Sequence, residues 1–209
     1  MKTGDAVLNL SIRCECGAVT GMVEARGLAV HGTCYCRDCQ AFARFLGRPG
    51  RMLDDAGGTE VIGTLPARIH FTSGEDRLAC ITLTSRGPYR WYAECCRMAI
   101  CNSGRTRNAA FATLHRRALA ASSAAVDRAF GPPGFVFGAR GATAPVKVPR
   151  LGLVTAAPKI LWNILHARIS GSWRSSPFFT PGTDEPIRAP RVLSQQERHA
   201  LRGGDTPRS

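Results

Sequence analysis

In the first half of the chain the pattern of apolar and polar positions is that of short strands. Residues 6–25, AVLNLSIRCECGAVTGMVEA, alternate on both sides of Cys-Glu-Cys-Gly. This predicts two strands joined by a tight turn with Gly17 at its corner. LAVHGTCYC, residues 28–36, predicts a further short strand running into a second group of cysteines. The next stretch, RDCQAFARFLG, changes period: Ala41, Phe42, Phe45 and Leu46 fall on one helical face, and Gly47 is a stop. TEVIGTL, ARIHFTS, LACITLTS and YRWYAECC then read as strands, with GEDR and SRGP separating the later ones.

The second half is less regular. Residues 105–131 read as partly helical, and residues 131–149, GPPGFVFGARGATAPVKVP, as a connection. Within residues 159–169, Ile160, Leu161, Ile164, Leu165 and Ile169 recur at helical spacing. The expectation is a helix whose side bearing Ile160, Ile164 and Leu165 packs on the β domain or on a second subunit, leaving arginines outside. Residues 175–190, SSPFFTPGTDEPIRAP, read as loop. The pattern as a whole predicts a mainly β protein: an antiparallel β domain with one short helix over residues 1–114, and a partly helical extension over residues 115–209 packed on it.

Composition refines this picture. With 209 residues, 44% of them hydrophobic, the chain can bury a real core. Its formal charge of +13 is unevenly spread. Residues 1–102 carry 12 Lys and Arg against 10 Asp and Glu, and residues 103–209 carry 16 against 5. All nine cysteines lie in the first part. Thiol chemistry and basic surface therefore belong to different regions. Such a basic segment suits solvated arginines, RNA, or an anionic membrane surface. The apolar stretch around residues 151–169 is broken by Pro158 and Lys159, so no transmembrane span is expected. The N-terminal residues lack a basic start followed by an apolar run, and the expected location is the cytoplasm.

In a reducing compartment clustered cysteines are metal ligands or reactive thiols rather than disulfides. Cys34, Cys36 and Cys39 follow a strand and enter a helix, so short spacers turn three sulfurs toward one point. Zinc suits three thiolates and would keep a fourth position for water or substrate. A fourth protein ligand would close that site, and one cysteine could instead pack. Cys14 and Cys16 at the predicted hairpin tip need two more sulfurs, which AECCRMAIC supplies. Cys96 and Cys95 are the first candidates and Cys101 the substitute, and a metal there would clamp distant segments structurally. Neighbours on a regular strand face opposite ways, so Cys95 and Cys96 can share a metal only where the strand bends or ends. Cys80, within LACITL, reads as core.

The succession Cys-x-Cys-Gly, Cys-x-Cys-x-x-Cys-Gln and a later Cys-bearing turn resembles the glutathione-dependent formaldehyde-activating enzyme family, which includes centromere protein V. The similarity covers about residues 8–102. It implies a zinc-bearing β domain with a structural zinc at Cys14, Cys16 and Cys96, and a catalytic zinc at Cys34, Cys36 and Cys39. Family members read Phe-Cys-x-x-Cys-Gly at the last motif. Here Ala93 stands at the first cysteine of that motif and Arg97 at its glycine.

The resemblance implies a carbon–sulfur lyase type of reaction, the reversible addition of a thiol such as glutathione to a small aldehyde. No general base stands out, since His31, His70 and His115 each stand alone. Two other classes stay open. One is a non-catalytic zinc module that binds a partner, nucleic acid or membrane surface through its basic half, with Trp162 and Trp173 among the cations. The other is a redox or metal-buffering thiol site.

Overall fold

A computed structural model describes residues 8–25 and 30–203. Ala6, Val7, Leu28 and Ala29, the leading residues of two predicted strands, lie outside the described residues.

Among the described residues the fold is mainly β and contains two sheets. The smaller sheet is an antiparallel set of β1 (Leu8–Arg13), β2 (Thr20–Ala25) and β5 (Ile69–Ser73), with β2 in the middle. In β1 Leu10 and Ile12 face inward while their neighbours are exposed, as its alternation predicts. The larger sheet has eight strands. Its antiparallel centre runs, in spatial order, through β3 (Val30–Cys34), β4 (Thr59–Thr64), β9 (Ala112–His115), β8 (Met98–Ser103), β7 (Tyr89–Ala93) and β6 (Leu78–Thr82). The edge strands β10 (Phe135–Phe137) and β11 (Arg191–Val192) pair in parallel with β3 and β6.

Every residue of β7 and β8 is buried, because this sheet is covered on both faces. On one face Tyr89, Trp91, Ala93 and Ile100 pack with Leu10, Ile12, Val23 and Ile69 of the smaller sheet. On the other Tyr92, Ala99, Ile81 and Leu83 meet Ala41, Phe42 and Leu46 from α1 (Arg37–Phe45) and its end. A one-turn helix, α2 (Pro49–Met52), follows α1.

The second half is woven into this frame. β9, which lies inside the stretch expected to be partly helical, is a central strand. Its four residues carry too little local preference to announce it, and hydrogen bonding to β4 and β8 makes it. α3 (Ser123–Phe130), capped by Ser122, supplies the helix expected in that stretch. The expected connection contributes β10, and the expected loop contributes two core aromatics. Phe178 is fully buried and stacks on Trp91 with ring centroids 5.1 Å apart, while Phe179 packs against Tyr89. α5 (Gln195–Leu201) begins with a reciprocal cap between Ser194 and Glu197.

α4 (Gly152–Ser170) contains the predicted helix but starts earlier and runs through Pro158. Its packing corrects the expectation. Gly152, Ala156, Asn163 and Ala167 form the buried side, Ile160 and Ile164 are half-buried, and Leu165 is exposed. Close approach to β10 selects small residues: a Cβ on Gly152 would come within 2.7 Å of the Gly134 carbonyl oxygen.

Because Phe178 stacks on the central strand, Phe178→Ala should lower unfolding free energy by about 3–5 kcal/mol in urea titrations. The change Val192→Ala at an exposed edge should stay within about 0.5 kcal/mol.

Candidate metal centres

Two hairpin tips bring the first group of thiols together. Cys14 and Cys16 lie in the turn between β1 and β2, closed by hydrogen bonds from Cys14 N to Val19 O (3.0 Å) and Gly17 N to Cys14 O (2.9 Å). Gly17 takes φ +79°, a left-handed conformation that suits glycine. Cys95 and Cys96 lie in the turn after β7, which ends at Ala93, so the opposite-faces restriction of a strand does not apply to them. The four sulfurs lie within 4.8 Å of one another, with Cys14–Cys16 at 3.5 Å, Cys14–Cys95 at 3.9 Å and Cys16–Cys95 at 3.2 Å. They could hold a metal ion.

Arg97, where the resembled family reads glycine, is the one non-glycine with positive φ (53°) among the described residues. Its guanidinium bonds to the carbonyls of Leu46 and Phe45 and sits 5.1 Å from the Phe45 ring, contacts that offset the backbone strain. Glu15, between the first two cysteines, is bound by Arg48 and Arg51; Arg48 above all holds its carboxyl below the usual range.

Charge in this cluster is set by the turn. The backbone N–H of Ala18, followed by the thiols of Cys95 and Cys14, lowers the Cys16 thiol to about 7. Desolvation, then the neighbouring sulfurs of Cys16 and Cys14, pushes Cys95 up to about 12. Four ionised sulfurs at such distances repel, and a bound cation would replace the protons that otherwise separate them.

The second group sits at the junction of β3 and α1. Cys34 ends the strand, Cys36 caps the helix by accepting from Cys39 N at 3.4 Å, and Cys39 lies in the first turn. These three sulfurs also lie within 4.8 Å of one another, Cys39 to Cys34 at 3.6 Å, and could hold a metal ion. No fourth His, Cys, Asp or Glu joins them among the described residues. The thiols of Cys34 and Cys39, then the Cys39 N–H and the Arg90 charge, hold the Cys36 thiol far below its ordinary value. Its partner Cys34 is pushed up, by Cys36 first.

The later chain straps this loop in place. Tyr35 N donates to Phe137 O at 2.8 Å, and Gln40 Nε2 bridges Tyr35 O and Gly141 O at 3.1 and 2.8 Å. A Cβ on Gly141 would stand 2.3 Å from Tyr35 O, so only glycine fits there.

Beside the trio lies a residue that no motif in the sequence marks. Arg90 is 4% exposed, and its Nη1 reaches Cys39 Sγ at 3.8 Å and Asn102 Oδ1 at 3.4 Å. Its Nε has no hydrogen-bond partner among the described residues. The available signal was an arginine at an alternating position of the apolar strand YRWYA, where a buried cation needs an anionic neighbour. The trio and Arg90 line a cavity of about 500 Å³ whose other walls include Val61, Phe111, Phe135, Phe137 and Ile160. Among the described lining residues Arg90 is the only one from the Asp, Glu, Lys and Arg set.

The remaining candidates stand apart. Cys80 and Cys101 are buried in the core away from both groups, and burial raises both thiols. His70 pairs with Glu24 at 3.3 Å on the smaller sheet. His115 is buried at the end of β9, where desolvation and the Arg90 charge lower it to about 3. His31 is a cross-link: Nδ1 contacts Gly131 O at 2.6 Å and Nε2 contacts Glu60 at 2.7 Å, fastening the end of α3 to β4.

The profile of a protein family described as "Family of unknown function (DUF6151)" matches residues 6–187. No curated protein matches the chain.

Burial opposes the charged form of His31, but hydrogen bonds to Glu60 and the Gly131 carbonyl raise its pKa above the ordinary 6.5. Glu60 is lowered below 4.5, chiefly by His31. The raised imidazole contributes its stability fully below 6.5 and loses it as pH rises through the folded value. The lowered carboxyl contributes above 4.5 and loses it as pH falls through its folded value. The pair should therefore stabilise most between about pH 5 and 6.5. His31→Gln should cost about 1–2 kcal/mol in chemical denaturation there, and less at about pH 9.

Proposed function

The chain belongs to the family of unknown function DUF6151, and for this member we propose a zinc protein with one structural and one reactive site, the latter of carbon–sulfur lyase type. The carrying observation is the contrast between the two thiol groups. Four sulfurs at the hairpin tips form a complete donor set, whereas three sulfurs at the β3–α1 junction stand on the wall of a cavity.

The donor sets fit zinc. Bonds of about 2.3 Å in a tetrahedron place thiolates about 3.8 Å apart. Cys14, Cys16 and Cys95 place their sulfurs 3.2–3.9 Å apart, with Cys96 inside the same 4.8 Å group, and Cys34 and Cys39 place theirs 3.6 Å apart. A zinc ion held by Cys34, Cys36 and Cys39 would supply Lewis acidity and a position for an incoming thiol.

The proposed reaction is the reversible addition of a thiol to a small aldehyde. The carbon–sulfur bond forms as the carbonyl π bond opens, and the thiol proton ends on the former carbonyl oxygen; cleavage reverses both changes. Arg90, buried and with an unpartnered Nε among the described residues, suits a donor to the oxygen as its negative charge develops. The aromatic and aliphatic walls exclude water and fit a ligand with an apolar body. Glutathione carries two carboxylates, for which the cavity offers one guanidinium, so a less charged thiol or a more apolar aldehyde fits better.

Metal analysis should find two zinc equivalents. Cys36→Ser should lose one and Cys14→Ser the other, with the larger fall in melting temperature for Cys14→Ser, because that site ties distant segments together. After cobalt substitution the sulfur-rich spectrum should shift on adding an alkyl thiol and shift less with glutathione at equal concentration. Arg90→Met should keep the thiol-induced shift yet slow aldehyde–thiol turnover about 100-fold. A spectrum that ignores every thiol with cobalt fully bound would identify the trio as part of a closed, non-catalytic module.

A further inference from the structure

α4 carries its large apolar residues on the wrong side for a core helix. At about 100° per residue, Leu151, Val154, Leu161, Trp162, Leu165 and Ile169 all project within one outward arc, opposite the buried Gly152, Ala156, Asn163 and Ala167. Their exposures run from 48% for Leu165 to 79% for Ile169. On the same projection Pro158 also lies in the arc, and no polar side chain interrupts it. Lys159 and His166 stand on one flank and Arg168 on the other, and all three are exposed.

Along the chain on either side of the helix, charge has one sign. Between Asp127 and Asp184 there is no Asp or Glu, while Arg128, Arg140, Lys147, Arg150, Lys159, Arg168 and Arg174 fall in that interval. All seven are exposed. No helix among the described residues is long and apolar enough to cross a membrane.

We propose that α4 docks the protein on an anionic lipid bilayer, lying in the plane of the interface with its apolar arc among the upper acyl chains and its cations at the headgroups. An outward stripe of Leu, Ile and Trp flanked by Lys and Arg is the arrangement that such a surface accepts. Two alternative occupants fit less well. A second copy docked on the arc would set the flanking Lys159 and Arg168 of one helix against those of the other, whereas anionic headgroups neutralise them. A nucleic acid would satisfy the charge but leave the arc of leucines and isoleucine in water. The proposal stands independently of the zinc chemistry.

Flotation of the full, metal-loaded chain with vesicles tests it. Binding should be strong with phosphatidylcholine containing about 30% phosphatidylserine, weak with phosphatidylcholine alone, and largely lost between about 0.1 and 0.5 M salt. Bound protein should show a blue shift of tryptophan emission that Trp162→Phe removes while still binding. Leu161→Gln with Leu165→Gln should cut partitioning at least tenfold, and Lys159→Gln about fivefold. These side chains are exposed, so an unchanged melting temperature will establish that the variants fold. Three results would overturn the proposal: equal binding to neutral vesicles, a dimer in solution that the double Gln variant dissociates with no vesicle binding, or salt-sensitive RNA binding indifferent to that variant with no vesicle binding.

Discussion

The alternation of β7 is the constraint on which the rest of the molecule depends. Successive side chains of a strand point to opposite faces, so Tyr89, Trp91 and Ala93 enter the core shared with the three-stranded sheet, while Arg90 and Tyr92 face α1. A slip of one residue would put Trp91 against the cysteine trio and the guanidinium into the apolar core. That register is held by β6 and β8 on either side and by Phe178 stacked on Trp91. Core packing and candidate-site chemistry are thus two sides of one strand.

Burying Arg90 is costly unless something nearby answers its charge. The lowered Cys36 thiol and Cys39 Sγ at 3.8 Å are the adjacent sulfur partners, and Asn102 accepts a second bond. The trio and the arginine depend on each other electrostatically. The four-cysteine group differs: it sits on turns at the rim, Cys16 and Cys95 are exposed, and among the described residues no Lys or Arg as buried as Arg90 stands beside it. One group brings the β1–β2 and β7–β8 turns together, and the other forms a wall of a cavity.

The basic second half is structural as well as charged. It contributes β9 to the centre of the larger sheet, β10 and β11 to its edges, and Phe178 and Phe179 to the core. It also straps the Cys34–Cys39 loop, Phe137 O accepting from Tyr35 N and Gly141 O from Gln40 Nε2. α4 then spans the apolar cavity on one side, through Ala156 and Ile160, and presents its larger residues on the other. The cysteines and the basic segment, separate along the chain, meet in the fold.

Local pattern was enough for β1, β2, β4 to β7 and α1, because runs of five or six residues rich in β-branched and aromatic side chains between turn signals read as strands, and the 3.6 period of α1 reads as a helix. Short cysteine spacers likewise announced both thiol groups, since Cys14 to Cys16 and Cys34 to Cys39 are brought near one another by a single turn each. The sequence ranks Cys95 above Cys101, but that Cys95 and Cys96 can share one site depends on β7 ending at Ala93, a matter of how β7 and β8 pair. β9 and β10 are only four and three residues long and exist because neighbouring strands complete their hydrogen bonds. The inverted packing of α4 was equally hidden: its sequence shows apolar residues at helical spacing, but close approach to β10 selects the small ones for the inside. What the chain decided locally is therefore its strands and its clusters of sulfur. What only the tertiary structure decided is which residues meet, because burial and pairing depend on partners distant in sequence.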